Sequence, residues 1–240
     1  MKIIEPKKIK DVCVPKELDR QIKKMEPEIL KSIKKNDPNS VVESGIIILG
    51  DFNKKQKINL FLLSWISHIN EVIYNLNLTI SDLKKLPTNY LFITGSPYKR
   101  YQLLVRIFFY EFYRFKDIFH QSMKLFRKLG FFKNDIEKSI TDNFLKLFKN
   151  CIDTRNSLVH NEVIWKGEKH FKLFMVGLNY DFGYEVKDIK SGEVTKYSEV
   201  LCGVCDHMAS VFIKEGNTMS KVLQETTKLY VKWAQEIHNS

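Results

Sequence analysis

The sequence predicts a mainly α protein, a helical bundle with a small β-hairpin or meander insertion, and three observations predict it. Residues 56–76 place Ile58, Phe61, Trp65, Ile69, Val72 and Leu76 on one helical face. Residues 98–129 are apolar around much of the helical circumference, as suits a helix contacted from several sides in the middle of a bundle. Residues 163–197 alternate apolar and polar side chains around Gly167, Gly183 and Gly192, a pattern of short strands and turns.

The remaining elements follow in chain order. Residues 16–35 read as helix, with Pro27 allowing a break or a fresh start. The stretch 44–53, "SGIIILGDFN", is β-branched and bounded by glycine, so it reads as a strand or an extended arm. "LPTNYLFITGSP", ending at Pro97, reads as a loop or short extended stretch. Gly130 stops the long helix, and Asn134 or Asp135 can cap the next, over roughly 135–160. Helix returns at about 196–214, with Tyr197, Leu201, Val204, Met208, Val211 and Phe212 on one face. "GNT" interrupts it, and a last helix covers about 217–237. The domain reading is an N-terminal helical and extended segment, 1–53, followed by a helical domain, 54–240, with its β insertion at about 162–195.

Composition bounds the function. The chain has 240 residues, 44% hydrophobic and 28% charged, enough to bury a substantial core. A transmembrane helix is not expected, because no run of eighteen apolar residues exists. The first residues lack the apolar stretch of a secretion signal, and four cysteines make no disulfide framework, so a cytoplasmic setting is expected. The formal net charge is +11, concentrated in residues 1–36 (net +5) and 97–150 (net +7). Two such segments can converge on a polyanion, although 33 of the 39 basic residues are lysines, so a solvated lysine-rich surface explains the charge equally well.

Several motifs fall to ordinary structural readings. Cys202 and Cys205 form a lone CxxC without the second pair that a structural zinc requires, and two small buried residues one turn apart explain it. His68 sits one turn from Trp65 at the edge of an apolar stripe, as a satisfied or surface histidine does. The chain has no glycine-rich phosphate loop, no GxSxG, no HExxH and no acidic cluster of metal-binding spacing, so neither cofactor nor metal is expected. The aromatics from Tyr98 to Phe126 interleave with Lys99, Arg100, Arg106, Arg114 and Lys116. Core packing explains most of them, while Lys99, Arg100, Arg106 and Arg114 remain candidates for contact with RNA phosphate.

The stretch "CIDTRNSLVHNE", residues 151–162, is different. Phe148, Ile152, Arg155 and Val159 share the spacing of a buried helical face, yet one of them is an arginine. Asn156 and His160, four residues apart, lie about 40° from each other on a helix, whereas Arg155 and His160 are about 140° apart. Histidine titrates near neutrality and suits proton transfer, and arginine suits a developing phosphorane. A plainer arrangement has Arg155 paired with Asp142 or Asp153 and His160 capping the helix.

Arg155, the Asn156 that follows it and His160 resemble the Rx4–6H motif of the HEPN superfamily (higher eukaryotes and prokaryotes nucleotide-binding). A second match to the bare spacing, Arg114 to His120, lacks the polar residue after its arginine. The resemblance implies an α-helical bundle over 54–240, commonly a homodimer, and metal-independent endoribonuclease activity of the kind found in toxin–antitoxin and phage-defence systems. It assigns Arg155, Asn156 and His160 as catalytic residues, RNA as substrate and an antitoxin protein as a further partner. Two alternatives stay open: a catalytically silent HEPN-like module that binds RNA or protein, and an interaction module whose charge is compositional only.

Overall fold

The computed structural model describes residues 8–35, 53–89, 95–128, 134–159, 168–181, 184–187 and 191–239. Among them the chain forms seven helices and one two-stranded hairpin: α1 (Lys16–Lys35), α2 (Lys54–Asn89), α3 (Pro97–Lys128), α4 (Asn134–Leu147), α5 (Lys149–Val159), α6 (Glu168–Asp181), β1 (Val186–Lys187), β2 (Val194–Thr195) and α7 (Tyr197–Asn239). The mainly α bundle with a small hairpin is therefore the architecture. The extended arm expected over 44–53 lies outside the described residues except for Asn53.

α2 begins with a reciprocal cap. Gln56 donates its backbone N–H to Asn53 Oδ1, and Asn53 donates its own to Gln56 Oε1, both at 2.9 Å. The helix then runs past the expected loop at 86 and includes Pro87. Its buried stripe continues through Ile80, Leu83 and Leu86, so packing holds the backbone helical where local signals favoured a turn. α1 likewise passes through Pro27, which forgoes one backbone bond without ending the helix. Gly95 adopts φ +87°, a turn conformation suited to glycine, and Ser96 then caps α3 by accepting the Arg100 N–H at 3.0 Å. Pro97 stands at the first helical position, where its missing N–H costs nothing.

α2, α3 and α7 share an aromatic core. Phe108 of α3 stacks on Phe212 of α7 with centroids 3.6 Å apart, and Tyr230 of α7 packs on Trp65 of α2 and Phe126 of α3 at 5.4 and 4.0 Å. Two predicted boundaries change. The helix expected over 135–160 is two helices, separated only at Phe148, across which the bonds from Phe148 N to Phe144 O and from Ile152 N to Phe148 O keep the ladder nearly continuous. Residues 168–181, expected as strand, are α6, leaving only two-residue strands paired Val186 to Thr195 and Lys187 to Val194. A short run apolar on both sides satisfies either period. Here Leu173, Val176 and Gly177 face inward at helical spacing, while Phe171, Phe174, Met175 and Leu178 remain exposed.

The expected interruption at "GNT" is also absent, because α7 is one helix of 43 residues. Gly216 answers a packing need instead of breaking the helix. A Cβ at this position would lie 2.2 Å from Ile9 Cδ1 and 2.8 Å from Cγ1. Residues 8–13 run as an extended strap along α2 and α7, with their backbone groups met by side chains. Asn77 Oδ1 accepts from Lys8 and Ile9, Asn70 bonds both the N–H and the carbonyl of Val12, and Gln224 does the same for Cys13. Asn217 and Ser220 donate to the carbonyls of Lys8 and Lys10. These amide and hydroxyl side chains stand in for the neighbouring strand that an extended segment otherwise needs.

This contact makes a sign reversal testable. Gly216→Ala should destabilise the wild type, since Ile9 is fully buried against it. In an Ile9→Ala background the same change should stabilise by up to about 1 kcal/mol, the helix-propensity gain of alanine. Denaturant unfolding of the four proteins measures both effects.

Candidate nucleic-acid interface

α4 and the joint that leads into α5 are laid onto α3 by rings. Phe144 stacks on Phe119 with centroids 4.2 Å apart, and Phe148 meets Phe112 edge-on at 5.5 Å. Cys151 and Leu158 are buried on the same side of the chain, so Arg155, between them in sequence, is carried against α3. Its guanidinium lies over Tyr113, 4.1 Å from the ring centroid, and 5.8 Å from that of Tyr110. An arginine can occupy the stripe because its flat cation packs against aromatic faces.

No carboxylate among the described residues pairs with Arg155. Its Nη1 donates to Asn156 Oδ1 at 3.3 Å, linking the first two residues of the motif, and its buried Nε has no acceptor. The partners expected for a structural lock are otherwise placed. Asp153 pairs with Lys149, and Asp142 is exposed. A second cation adds to the field: Lys116 Nζ lies 4.4 Å from the Tyr113 centroid and donates to its hydroxyl at 2.5 Å. One ring thus holds two cations, with its neighbouring tyrosine 42% exposed, which is enough for a base to reach.

The four basic residues proposed for RNA contact separate into two pairs. Lys99, Arg106, Tyr110 and Tyr113 follow at intervals of seven, four and three, so they share one side of α3. Arg106 is half-buried, and its Nε lacks an acceptor, like that of Arg155. Arg114, by contrast, pairs with Glu111 at 2.8 Å and Glu71 at 3.6 Å, and Arg100 is exposed about 100° around the helix from Lys99. His160 lies outside the described residues.

The competing Arg114–His120 spacing makes no site. Its arginine is neutralised, and burial, with the Lys116 and Lys124 charges, lowers the His120 pKa. The CxxC pair is only half as expected, because Cys205 is buried and Cys202 is exposed. Residues that sequence reasoning passed over are Tyr110 and Tyr113, absorbed there into an aromatic core. Their signal was present: with Lys99 and Arg106 they form a four-and-three spaced series of polar-tipped side chains.

Two measurements follow from these environments. Arg155→Met should hold stability within about 1 kcal/mol of wild type or raise it, since loss of the ring contact offsets relief of an unpaired buried N–H. Thermal melts of the two proteins check this. Burial, then Glu215 beside Cys151 and Cys202 beside Cys205, pushes both buried thiols up to about 12. At pH 8 only about one in ten thousand of each is thiolate, so a thiol reagent should label Cys13 and Cys202 and reach the other two only after unfolding, as counted by mass spectrometry.

Comparison of this chain with protein-family models, with curated proteins and with solved structures finds no match in any of the three, and its functional reading rests on the residues themselves.

Proposed function

We propose that this protein is a metal-independent endoribonuclease of the HEPN type, acting as a homodimer in a toxin–antitoxin or phage-defence role. The carrying observation is Arg155, a guanidinium held on two tyrosines with no carboxylate partner among the described residues and with a buried Nε that has no acceptor among them. Arg155 shares the Tyr113 ring with Lys116, positive charge that suits a phosphate, and the exposed Tyr110 offers a stacking face to a base.

The chemistry follows from the residue types. The RNA 2′-hydroxyl attacks the adjacent phosphorus, and the bond to the 5′-oxygen of the next nucleotide breaks. A 2′,3′-cyclic phosphate and a free 5′-hydroxyl result. His160 in one protomer accepts the 2′-hydroxyl proton, and the second copy's histidine protonates the leaving oxygen. Arg155 stabilises the pentavalent phosphorane, oriented by Asn156. A second copy has a suitable face to use. Leu103 and Ile107 on α3 and Tyr74 and Leu78 on α2 are large, exposed apolar side chains. The Asn75–Glu111 and Arg114–Glu71 contacts bring those parts of the two helices side by side.

A catalytically silent RNA-binding module is the second reading, favoured by the same stacked arginine, which serves binding as well as catalysis. The test is RNA cleavage in the presence of chelator, with end-group analysis. Cyclic-phosphate ends should appear, and Arg155→Ala and His160→Ala should each reduce the rate by about a hundredfold or more. Salt-dependent RNA binding without cleavage selects the second reading. Cleavage unaffected by both substitutions rejects the first. Ile107→Glu should give monomers by sedimentation and lose cleavage with them.

A further inference from the structure

A cavity of about 480 Å³ opens where α1 meets the start of α2, with Gln235 of α7 also in its wall, and no lining residue belongs to α3 or α5. Its charge is one-sided. Arg20, Lys24 and Lys55 stand against a single acid, Glu17. No carboxylate among the described residues pairs with any of the three cations. The cap of α2 engages the N–H of Gln56 and leaves the N–H groups of Lys54 and Lys55 without an intrahelical acceptor. An anion is favoured at such a helix start.

The floor of the cavity has a different need. Asn59 is 2% exposed, its Nδ2 donates only to Met25 Sδ at 3.7 Å, and its Oδ1 has no donor. Whichever way the amide is turned, one arm meets a thioether, a weak acceptor, and the other meets nothing. Buried polar groups are ordinarily partnered, so an unpaired amide in a cavity wall points to a ligand that supplies a hydrogen-bonding edge. Gln21 lines the same space and can serve the rest of that edge.

We infer that this cavity is a nucleoside phosphate site, in which Asn59 reads the edge of a base while Arg20, Lys24, Lys55 and the start of α2 hold the phosphate. The geometry suits one ligand. Lys55 and Asn59 are separated by one turn, about 6 Å along the axis, which a nucleoside monophosphate spans between base edge and phosphate. Every nucleobase carries an N–H donor for Asn59 Oδ1, with acceptors beside it. Inorganic phosphate leaves Asn59 unpaired, and a nucleoside leaves the cations unmatched. This site is independent of the Arg155 reading, and Arg155→Ala should leave it intact.

Titration calorimetry of the full chain tests the inference with the four nucleoside 5′-monophosphates, the parent nucleosides, inorganic phosphate and a short 5′-phosphorylated oligoribonucleotide. At least one monophosphate should bind saturably, about tenfold or more tighter than phosphate or its nucleoside. The exposed double variant Arg20→Gln/Lys55→Gln should weaken that binding about tenfold or more with an unchanged melt. Asn59→Ala should abolish the preference over phosphate; the surface variant keeps the test valid if that buried change impairs folding. Tighter binding of the oligonucleotide, dependent on the same residues, assigns the site to an RNA end, and weaker binding assigns it to a free nucleotide. Phosphate binding as tightly as any nucleotide, binding indifferent to Arg20 and Lys55, or no binding would overturn the inference.

Discussion

The seam of aromatic rings that α2, α3 and α7 share, with α2 packed against both of the others, is the interaction on which the bundle is built. Tyr230 is its hub, packed on Trp65, Phe126 and Trp233 with its hydroxyl 3.2 Å from Ser122 Oγ and 2.9 Å from Met123 Sδ. Polar groups enter this seam only with partners. Trp65 Nε1 donates to Thr227 Oγ1 at 3.1 Å, and burial pushes the Tyr230 pKa up, so the hydroxyl stays neutral and keeps its proton to share. Large rings stacked at contact distance tolerate little change in axis separation. The three long helices are therefore a rigid frame, and the shorter elements attach to its sides.

Arg155 depends on that frame at one remove. α3 turns its phenylalanines toward α2, α7 and the α4–α5 pair, which leaves Tyr110 and Tyr113 on the side that receives Arg155. Most half-buried arginines are matched by a carboxylate, and this fold directs its nearby acids elsewhere: Glu111 to Asn75 and Arg114, Asp153 to Lys149. Its Nη1 donates to Asn156 Oδ1, and its Nε is left without an acceptor among the described residues. Such an arrangement sacrifices some stability at a site and is characteristic of binding surfaces.

The strap at residues 8–13 and the cavity beside α1 show opposite treatments of buried polarity. In the strap, backbone groups of an extended segment meet side chains of Asn70, Asn77, Asn217, Ser220 and Gln224. At the cavity, Asn59 has a thioether on one side and no donor on the other. One set of polar groups completes the fold, and Asn59 has no such partner among the described residues.

The sequence by itself determined the helices, because periodic burial is a local pattern: the α2 face from Ile58 to Leu76 and the all-round apolar α3 are legible without a structure. It also marked Arg155 as an apolar-face anomaly followed by asparagine. Tertiary structure decided where local signals conflict with packing. Pro87 and Gly216 look like breaks, yet the buried stripe that ends at Leu86 brings α2 up to and past its proline, buried Phe212 and Met219 flank Gly216, and Gly216 admits the approach of Ile9. The two-sided apolar stretch 168–181 satisfied both periods, and contacts with Tyr98 and Tyr197 accompany the helix it forms. The partners of Arg155 are the clearest case. A cation's neighbours across helices depend on the relative rotation of α3 and α5, a quantity that rings far from Arg155 in sequence establish and no local spacing contains.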